Sequence, residues 1–501
     1  MTLPRPTLHR ILLGLPVDGR PVVHRQVQAL ARCAGWDLRL PEPAALGHFR
    51  TPADTEALAA WLLAEGEAAD GFVLSLDMLI YGGLVPSRFV PDALPTLLAR
   101  LALIDRLKAR WPGKPIWAFA STMRISNNDV ADEEKPYWAQ HGRALWSWSF
   151  HHDRAGQTGD AASHAAAAAA EQRVPASIRD DYRATRARNL AVTRAALERV
   201  RDGTLERLVL PQDDTAEYGF NIAERRAWQG LVAAWGLARK VPIYAGADEV
   251  LHTLVARAVQ TLEQRGPLKL ALAPSDPDHL DDLTALYEDR PLRQALAAQA
   301  EAVGAEWVDD DDQAEVLVAL HTQGSAQGDW AMGRPLPQRV PVPDAWFDRM
   351  RRWQDARRPV VLVDAAYANG GDPWLLAHPA LMPKRLAAYA GWNTASNRLG
   401  SALATAQLAR DAWDSEAARE ALALRLLEDG LYQAQWRGVL RGALDESRAD
   451  KTELLAMARH VVLPALNAWA RARGLGHQVT GLDLPWQRSF EIDLHLAPLR
   501  P

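Results

Sequence analysis

Leu208-Val209-Leu210-Pro211-Gln212-Asp213-Asp214-Thr215-Ala216-Glu217-Tyr218-Gly219 is an apolar run that stops abruptly in two adjacent carboxylates, a hydroxyl, a third carboxylate and a phenol. Residues 205–210 have the length and composition of a buried strand. Residues 221–225 open a helical pattern, with Asn221 as the expected cap and Glu224 three residues on. The acids therefore fall between the carboxyl end of a strand and the start of a helix, the edge at which α/β proteins bind ligands. Adjacent carboxylates in a partly dry pocket do not both ionise readily, and the one kept neutral is in the state a general acid needs. The plainer alternative is that Asp213 and Asp214 cap the following helix and face water.

Working outward, the same grammar recurs. Residues 11–16 read as a strand that ends in Val17-Asp18-Gly19-Arg20-Pro21. Residues 71–76 end in Asp77, followed by Tyr81-Gly82-Gly83 and Ser87-Arg88. Residues 116–120 run into a long polar edge, Ser121-Thr122-Met123-Arg124-Ile125-Ser126, and residues 241–245 into Gly246-Ala247-Asp248-Glu249. From residue 268 the pattern restarts, with strand ends at Ser275-Asp276, at His321-Thr322, at Asp364 through Asn369-Gly370-Gly371-Asp372, and at Gly391-Trp392-Asn393. Helical patterns alternate with these strands, among them residues 53–65, with Thr51 as the expected cap, and residues 177–201. Strands alternating with helices predict parallel sheets and an α/β fold. The polar residues follow the strands rather than precede them, which predicts sites at the carboxyl edges. Periodicity does not decide whether the first half closes into a barrel or stays an open sheet. The expected organisation is an α/β domain over 1–265 that carries the acid pair, a second doubly wound α/β domain over 266–410, and a helical extension over 411–501. Residues 156–172, rich in alanine, are either a mobile insert or a helix.

A chain of 501 residues with 48% hydrophobic content has ample material for two or three cores. Its net charge of -5 gives no electrostatic case for nucleic acid or an anionic membrane as partner. The single cysteine, Cys33, excludes an intrachain disulfide framework and a cysteine zinc site. No apolar run reaches spanning length, and the apolar stretch near the start is too short for a leader, so the expected location is the cytoplasm. The 19 tryptophans exceed either of the other aromatic types, a surplus that suits stacking on sugars or other flat ligands as well as core packing. His151-His152 sits on a helical pattern, where neighbouring side chains diverge, so no metal is expected there.

Asp18-Gly19-Arg20-Pro21, residues 75–84, Thr122-Met123-Arg124-Ile125-Ser126, Asp213-Asp214-Thr215, Gly246-Ala247-Asp248-Glu249 and Gly391-Trp392-Asn393-Thr394 resemble the bacterial family catalogued as domain of unknown function 4127. The likeness extends through residues 485–491 and covers nearly the whole chain. It carries no activity with it. It implies a second aspartate where this chain has Gly19, so a role is expected of Asp18 and not of position 19. Locally, the acid pair is also similar to glycosidases that cleave N-acetylhexosamines with the help of the substrate's own acetamido group. That similarity implies Asp213 as the carboxylate orienting the acetamido group, Asp214 as general acid, and Tyr218, Trp392 and Asn393 as sugar contacts. The remaining expected binding residues are Asp18, Arg20, Asp77, Tyr81, Arg124, Asp248, Glu249, Asp364 and Asn369. Asp18, Asp77, Arg124, Asp213, Asp214 and Asp248 are expected to line one cleft, with Trp392 partly exposed as a stacking platform.

The expected function is a hydrolase using paired carboxylates, acting as a glycosidase on N-acetylhexosamine-type sugars. No cofactor or metal is assigned, and the expected partner is a small molecule, a carbohydrate. Two alternatives stand beside this. One is a Mg²⁺- or Mn²⁺-dependent hydrolase with Asp213, Asp214, Asp248 and Glu249 as oxygen ligands. The other is a non-catalytic sugar-binding protein.

Overall fold

The computed structural model describes residues 10–446 and 450–499. The opening residues 1–9, on which part of the reading about a leader rests, lie outside the described residues. The chain forms two compact units, Met1–Asp213 with Tyr218–Ile243, and Asp214–Glu217 with Tyr244–Pro501.

In the first unit, β1 (Arg10–Leu15), β2 (Trp36–Arg39), β3 (Gly71–Ser75), β4 (Ile116–Phe119) and β5 (Arg207–Gln212) pair in parallel. With β6 (Ile243–Ala245) the order is β2-β1-β3-β4-β5-β6. That order ends on two different strands, so the sheet is open and not a barrel. Every residue of β3 and β5 is buried, as a strand covered on both faces requires. Leu13, Leu74, Ala118 and Leu208 share one apolar core with Leu97 and Leu197 of the flanking helices.

Two helix starts differ from the expectation. The helix Thr55–Glu65 is capped by Asp54, whose carboxylate accepts from the backbone of Glu56 and Ala57, and not by Thr51. The helix Phe220–Ala234 is not capped by Asn221: the Ser149 hydroxyl accepts from Phe220 N at 2.7 Å, and the Asp153 carboxylate accepts from Gly219 N at 3.0 Å. Glu224, expected to close a capping box, is instead ion-paired with Arg186. In both cases a better-placed acceptor removes the need for the residue with cap-like chemistry.

The alanine-rich stretch is a helix, Ala161–Arg173, capped by Asp160. It buries Ser163, Ala167 and Ala170, one face at helical spacing, against the helix Trp138–Thr158. Small side chains let the two backbones approach, which accounts for the composition. His151 reaches Ser163 and His152 lies edge-on to Phe220, so the two imidazoles diverge as the spacing predicts.

The second unit repeats the plan. β7 (Leu268–Pro274), β8 (Ala305–Trp307) and β9 (Val316–His321) are followed by a short β10 (Gly328–Asp329), then β11 (Val360–Asp364), β12 (Tyr367–Ala368) and β13 (Ala388–Ala390). The main sheet is parallel and ordered β13-β11-β9-β7-β8, while β10 and β12 form a separate two-stranded ladder. Numbered by entry into its own sheet, each unit runs 2-1-3-4-5, the first adding a sixth strand. This doubly wound order has a switch point between its first and third strands, where ligands characteristically bind. The helix Val250–Leu262 packs in this unit against the helices Leu292–Val303 and Ala395–Leu408. The C-terminal segment is largely helical and closes with an antiparallel hairpin, β14 (His477–Asp483) and β15 (Asp493–Pro498). Leu427, Leu466, Val479 and Leu494 from this segment join Leu317 and Leu362 of the sheet in one core. Among the described residues no helix is long and apolar enough to cross a membrane.

Candidate functional site

At the carboxyl edge of the first sheet, three neighbouring strands deliver one polar cluster. Ser75 at the end of β3 caps the short helix Leu76–Tyr81, which fixes Asp77 in its first turn. Asp77 is 3% exposed and accepts a hydrogen bond at 3.0 Å from the backbone N–H of Ser121, just past β4. Burial pushes its carboxyl up to about 7, and the charge of Asp213 past β5 adds to the rise, while Arg88 and the bond from Ser121 oppose it. Arg88 is the hub. Its guanidinium donates to Asp213 at 2.8 Å and to Glu133 at 3.2 Å, and it approaches Glu134 at 3.5 Å. Arg124 binds the same two glutamates, Glu133 at 2.9 Å and Glu134 at 3.0 Å, and Ser126 donates to Glu134. Gln212 donates to Thr122 at 2.9 Å, tying the loop after β4 to the end of β5.

The loop after β1 lies across the switch point. Leu84 N donates to Val17 O, joining the loops after β1 and β3. Asp18 is closed on itself by Arg20, whose guanidinium and backbone N–H contact its carboxylate at 2.9 to 3.0 Å. Tyr81 belongs to the apolar core, with Arg188 over its ring, and is not a surface ligand group as expected. Tyr218 packs edge-on against Phe150.

The chain passes into the second unit after Asp213, so the expected acid pair is divided between the units. Asp214 takes a left-handed φ of 33°. Thr215 N bonds to Tyr287 O, and burial, Asp329 and Asp214 together raise the Tyr287 phenol. From there a continuous chain of hydrogen bonds runs along the edge of the second sheet. Tyr287 donates to Asp329 at 2.7 Å, Asn369 donates to Asp329 at 3.1 Å, Asn369 N donates to Asn393 O, and the Asn393 amide donates to Asp248 at 2.8 Å. Tyr287, Asn369 and Asn393 share with Asp214 a left-handed backbone. Strain of this kind persists only where the surroundings impose it.

Behind this edge lies a buried ionic scaffold. Ser275 past β7, His321 at the end of β9 and Asp372 form a relay: the His321 imidazole contacts Ser275 Oγ at 3.2 Å and Asp372 at 3.0 Å. Burial acts to raise Asp372, but the hydrogen bonds from His321 and Arg339 prevail and hold it at about 2. With His321 and Asp372 both wholly buried, the relay fixes loops and does not reach a substrate. Asp364, expected at the binding surface, is likewise wholly buried. It accepts from Asp372 N at 2.6 Å and from the Tyr389 hydroxyl at 3.2 Å, and burial raises its carboxyl. A side chain on Gly371 or Gly391 would meet that same hydroxyl at 2.0 or 2.5 Å, which is why Gly-Gly-Asp and Gly-Trp-Asn stand where they do.

Two further expectations are corrected. Trp392 is only 2% exposed and lies against Phe490, so it is a core residue and not an exposed platform. Glu249 is wholly buried between helices, accepting from Gln299 at 2.9 Å and Ala247 N at 2.9 Å. Burial raises its carboxyl from the ordinary 4.5 to about 8. The folded unit therefore keeps a proton that the unfolded chain releases. This stabilisation is full below about pH 4.5 and is lost as pH rises through about 8. Glu249→Gln, permanently neutral, should flatten that decline and unfold later than the parent at pH 8 in thermal scans from pH 5 to 8.5. A parallel decline in both proteins would show that Glu249 is not the responsible group.

Arg88, Glu133, Glu134, Tyr287, Asp329 and Trp330 were not singled out from sequence as site residues. Glu133-Glu134 and Arg88 do lie on the polar stretches that follow β4 and β3, which was the available signal. Among the described residues no group of three or more His, Cys, Asp or Glu side chains is disposed to hold a metal ion.

The two sheets and their polar carboxyl edges define a doubly wound α/β protein. The chain belongs to the family described as Protein of unknown function (DUF4127), whose model matches residues 11–495. No curated protein and no solved structure matches it.

Proposed function

We propose that the protein is a hydrolase working by carboxylate acid–base chemistry at the edge of the first sheet, with N-acetylhexosamine-type glycosides as substrate class. The observation that carries this is Asp77, a buried carboxyl held near neutrality beside an aspartate that is itself ion-paired. A buried carboxyl beside a second carboxylate held by an arginine is the pairing that hydrolysis of a glycosidic bond uses. In this reading Asp77 gives its proton to the leaving oxygen as the anomeric carbon–oxygen bond breaks. The Asp213 carboxylate, oriented by Arg88, stabilises the positive charge that develops on the sugar, and water forms the new carbon–oxygen bond as one of its O–H bonds breaks and that proton returns to Asp77. Asp77 thus takes the part that the sequence suggested for Asp214. A second reading, sugar binding without turnover, draws on the amide-rich edge of the second unit. The test is release of sugar from aryl and alkyl N-acetylhexosaminides and hexosides by the full-length protein. Turnover above the uncatalysed rate supports the hydrolase, and binding with no release supports the second reading.

A further inference from the structure

We infer that the carboxyl edge of the second sheet holds a carbohydrate subsite of its own, seated on Trp330, which Tyr367 backs, and read by Asn369, Tyr287 and Asn393, with the buried Asp329 orienting Asn369 and Tyr287 from behind. The inference extends the carbohydrate reading above to the second unit and rests on it for the ligand class.

The small ladder β10–β12 builds the seat. Its register sets Gly328 opposite Tyr367 and Asp329 opposite Ala368. Gly328 is required there, since a Cβ would stand 2.4 Å from the Tyr367 ring. Trp330 and Tyr367 then stack at 4.4 Å between centroids, inclined by 21°. The Trp330 indole N–H is fixed on Gly371 O at 3.0 Å and the residue is half-buried, a rigid apolar group that reaches the surface. A pyranose needs such a face for its C–H side and groups that both donate and accept for its hydroxyls.

The second requirement is met beside the seat. Asn369 is 5% exposed and gives an amide hydrogen to Asp329, while its amide oxygen accepts from no group among the described residues. Asn393 repeats the arrangement, donating to Asp248 and leaving its amide oxygen without a donor among the described residues. Tyr287 donates its proton to Asp329, so its oxygen is left as an acceptor. One amide hydrogen of each asparagine and the phenol hydrogen are thus spent on buried carboxylates, the second amide hydrogen of each asparagine remains to donate, and the acceptors are held in fixed orientation by a strained backbone. Fixed acceptors beside a ring favour a neutral, hydroxyl-rich ligand, whose O–H groups complete the network, over an anion, which they would repel.

The experiment uses the full-length protein with N-acetylglucosamine and glucose as probes, by saturation-transfer NMR and calorimetry. Trp330→Ala and Asn369→Gly are the variants; glycine keeps the left-handed backbone of position 369 and removes only the amide. The expected result is saturation of the sugar ring protons in the parent and affinity roughly tenfold weaker in each variant. Turnover of an aryl N-acetylhexosaminide by the parent, assayed alongside, separates this subsite from the catalytic reading: no turnover with binding retained and weakened in both variants leaves the subsite standing. Absence of binding to either sugar overturns the inference. Affinity unchanged in both variants overturns it too. Circular dichroism and the thermal transition establish that each variant is folded before it is scored.

Discussion

Asp77→Asn should lower turnover of an unactivated glycoside by about 10²–10⁴-fold, the usual contribution of a positioned acid. The substitution keeps the size of the side chain and the acceptor that Ser121 N uses, and removes the transferable proton. An aryl substrate with an acidic leaving group needs little protonation, so much of its rate should survive. The pH profile makes the assignment sharper. Asp77 acts as an acid, so the parent should lose kcat/KM as pH rises through about 7, where the buried carboxyl gives up its proton. The variant should lack that limb. Asp214→Asn supplies the contrast, because it leaves Asp77 and its neighbours in place. A leaving-group-dependent loss in Asp214→Asn, with Asp77→Asn near parental activity, would move the acid to Asp214 and end the present assignment.

Arg88→Met should destabilise the first unit by about 3–5 kcal/mol, the effect of removing one partner from a buried ionic network. Arg88 is 3% exposed and is shared by Asp213, Glu133 and Glu134. Methionine fills similar volume but leaves the buried Asp213 and Glu134 without this cation, though Arg124 still reaches the two glutamates. The loss should appear as faster hydrogen exchange in peptides covering β3, β4 and β5. Adding Asp213→Asn to Arg88→Met should recover part of it, since the uncompensated charge is then gone. A shift under about 1 kcal/mol would mean that water already screens the network, and the geometry around Asp77 would need another anchor.

How much of this the sequence discloses depends on the range of the physics. Strand and helix alternate along the chain with clear periodicity, and parallel strands buried on both faces read as unbroken apolar runs, as at β3 and β5. The α/β fold and the polar carboxyl edges follow directly. What stays hidden is pairing across long separations. Arg88 and Asp213 stand 125 residues apart, so neither local spacing nor composition links them. The same holds for Trp392. A Gly-Trp-Asn turn has the same letters whether its ring faces out or in, and Phe490, which decides the matter, lies far along the chain. Capping fails for a related reason: Asn221 has the right chemistry, but Ser149 and Asp153 arrive from another helix and take its place. Nor does the sequence say that burial raises the Asp77 carboxyl, or that Arg88 pairs with Asp213: the two aspartates look alike as letters.

The divided first unit also sets a timetable for biosynthesis. β5 cannot complete its bonding when it leaves the ribosome, because Leu208 N and Leu210 N are satisfied by the carbonyls of Lys240 and Pro242, some thirty residues later in the chain. Until that stretch emerges, the Leu208-Val209-Leu210 edge is an unpaired apolar strand, the kind of nascent segment that invites mispairing. By residue 243 every piece of the first unit has been made, while the first strand of the second sheet, β7, is still to come. The first sheet can therefore close before a second sheet of the same winding exists to compete for its strands.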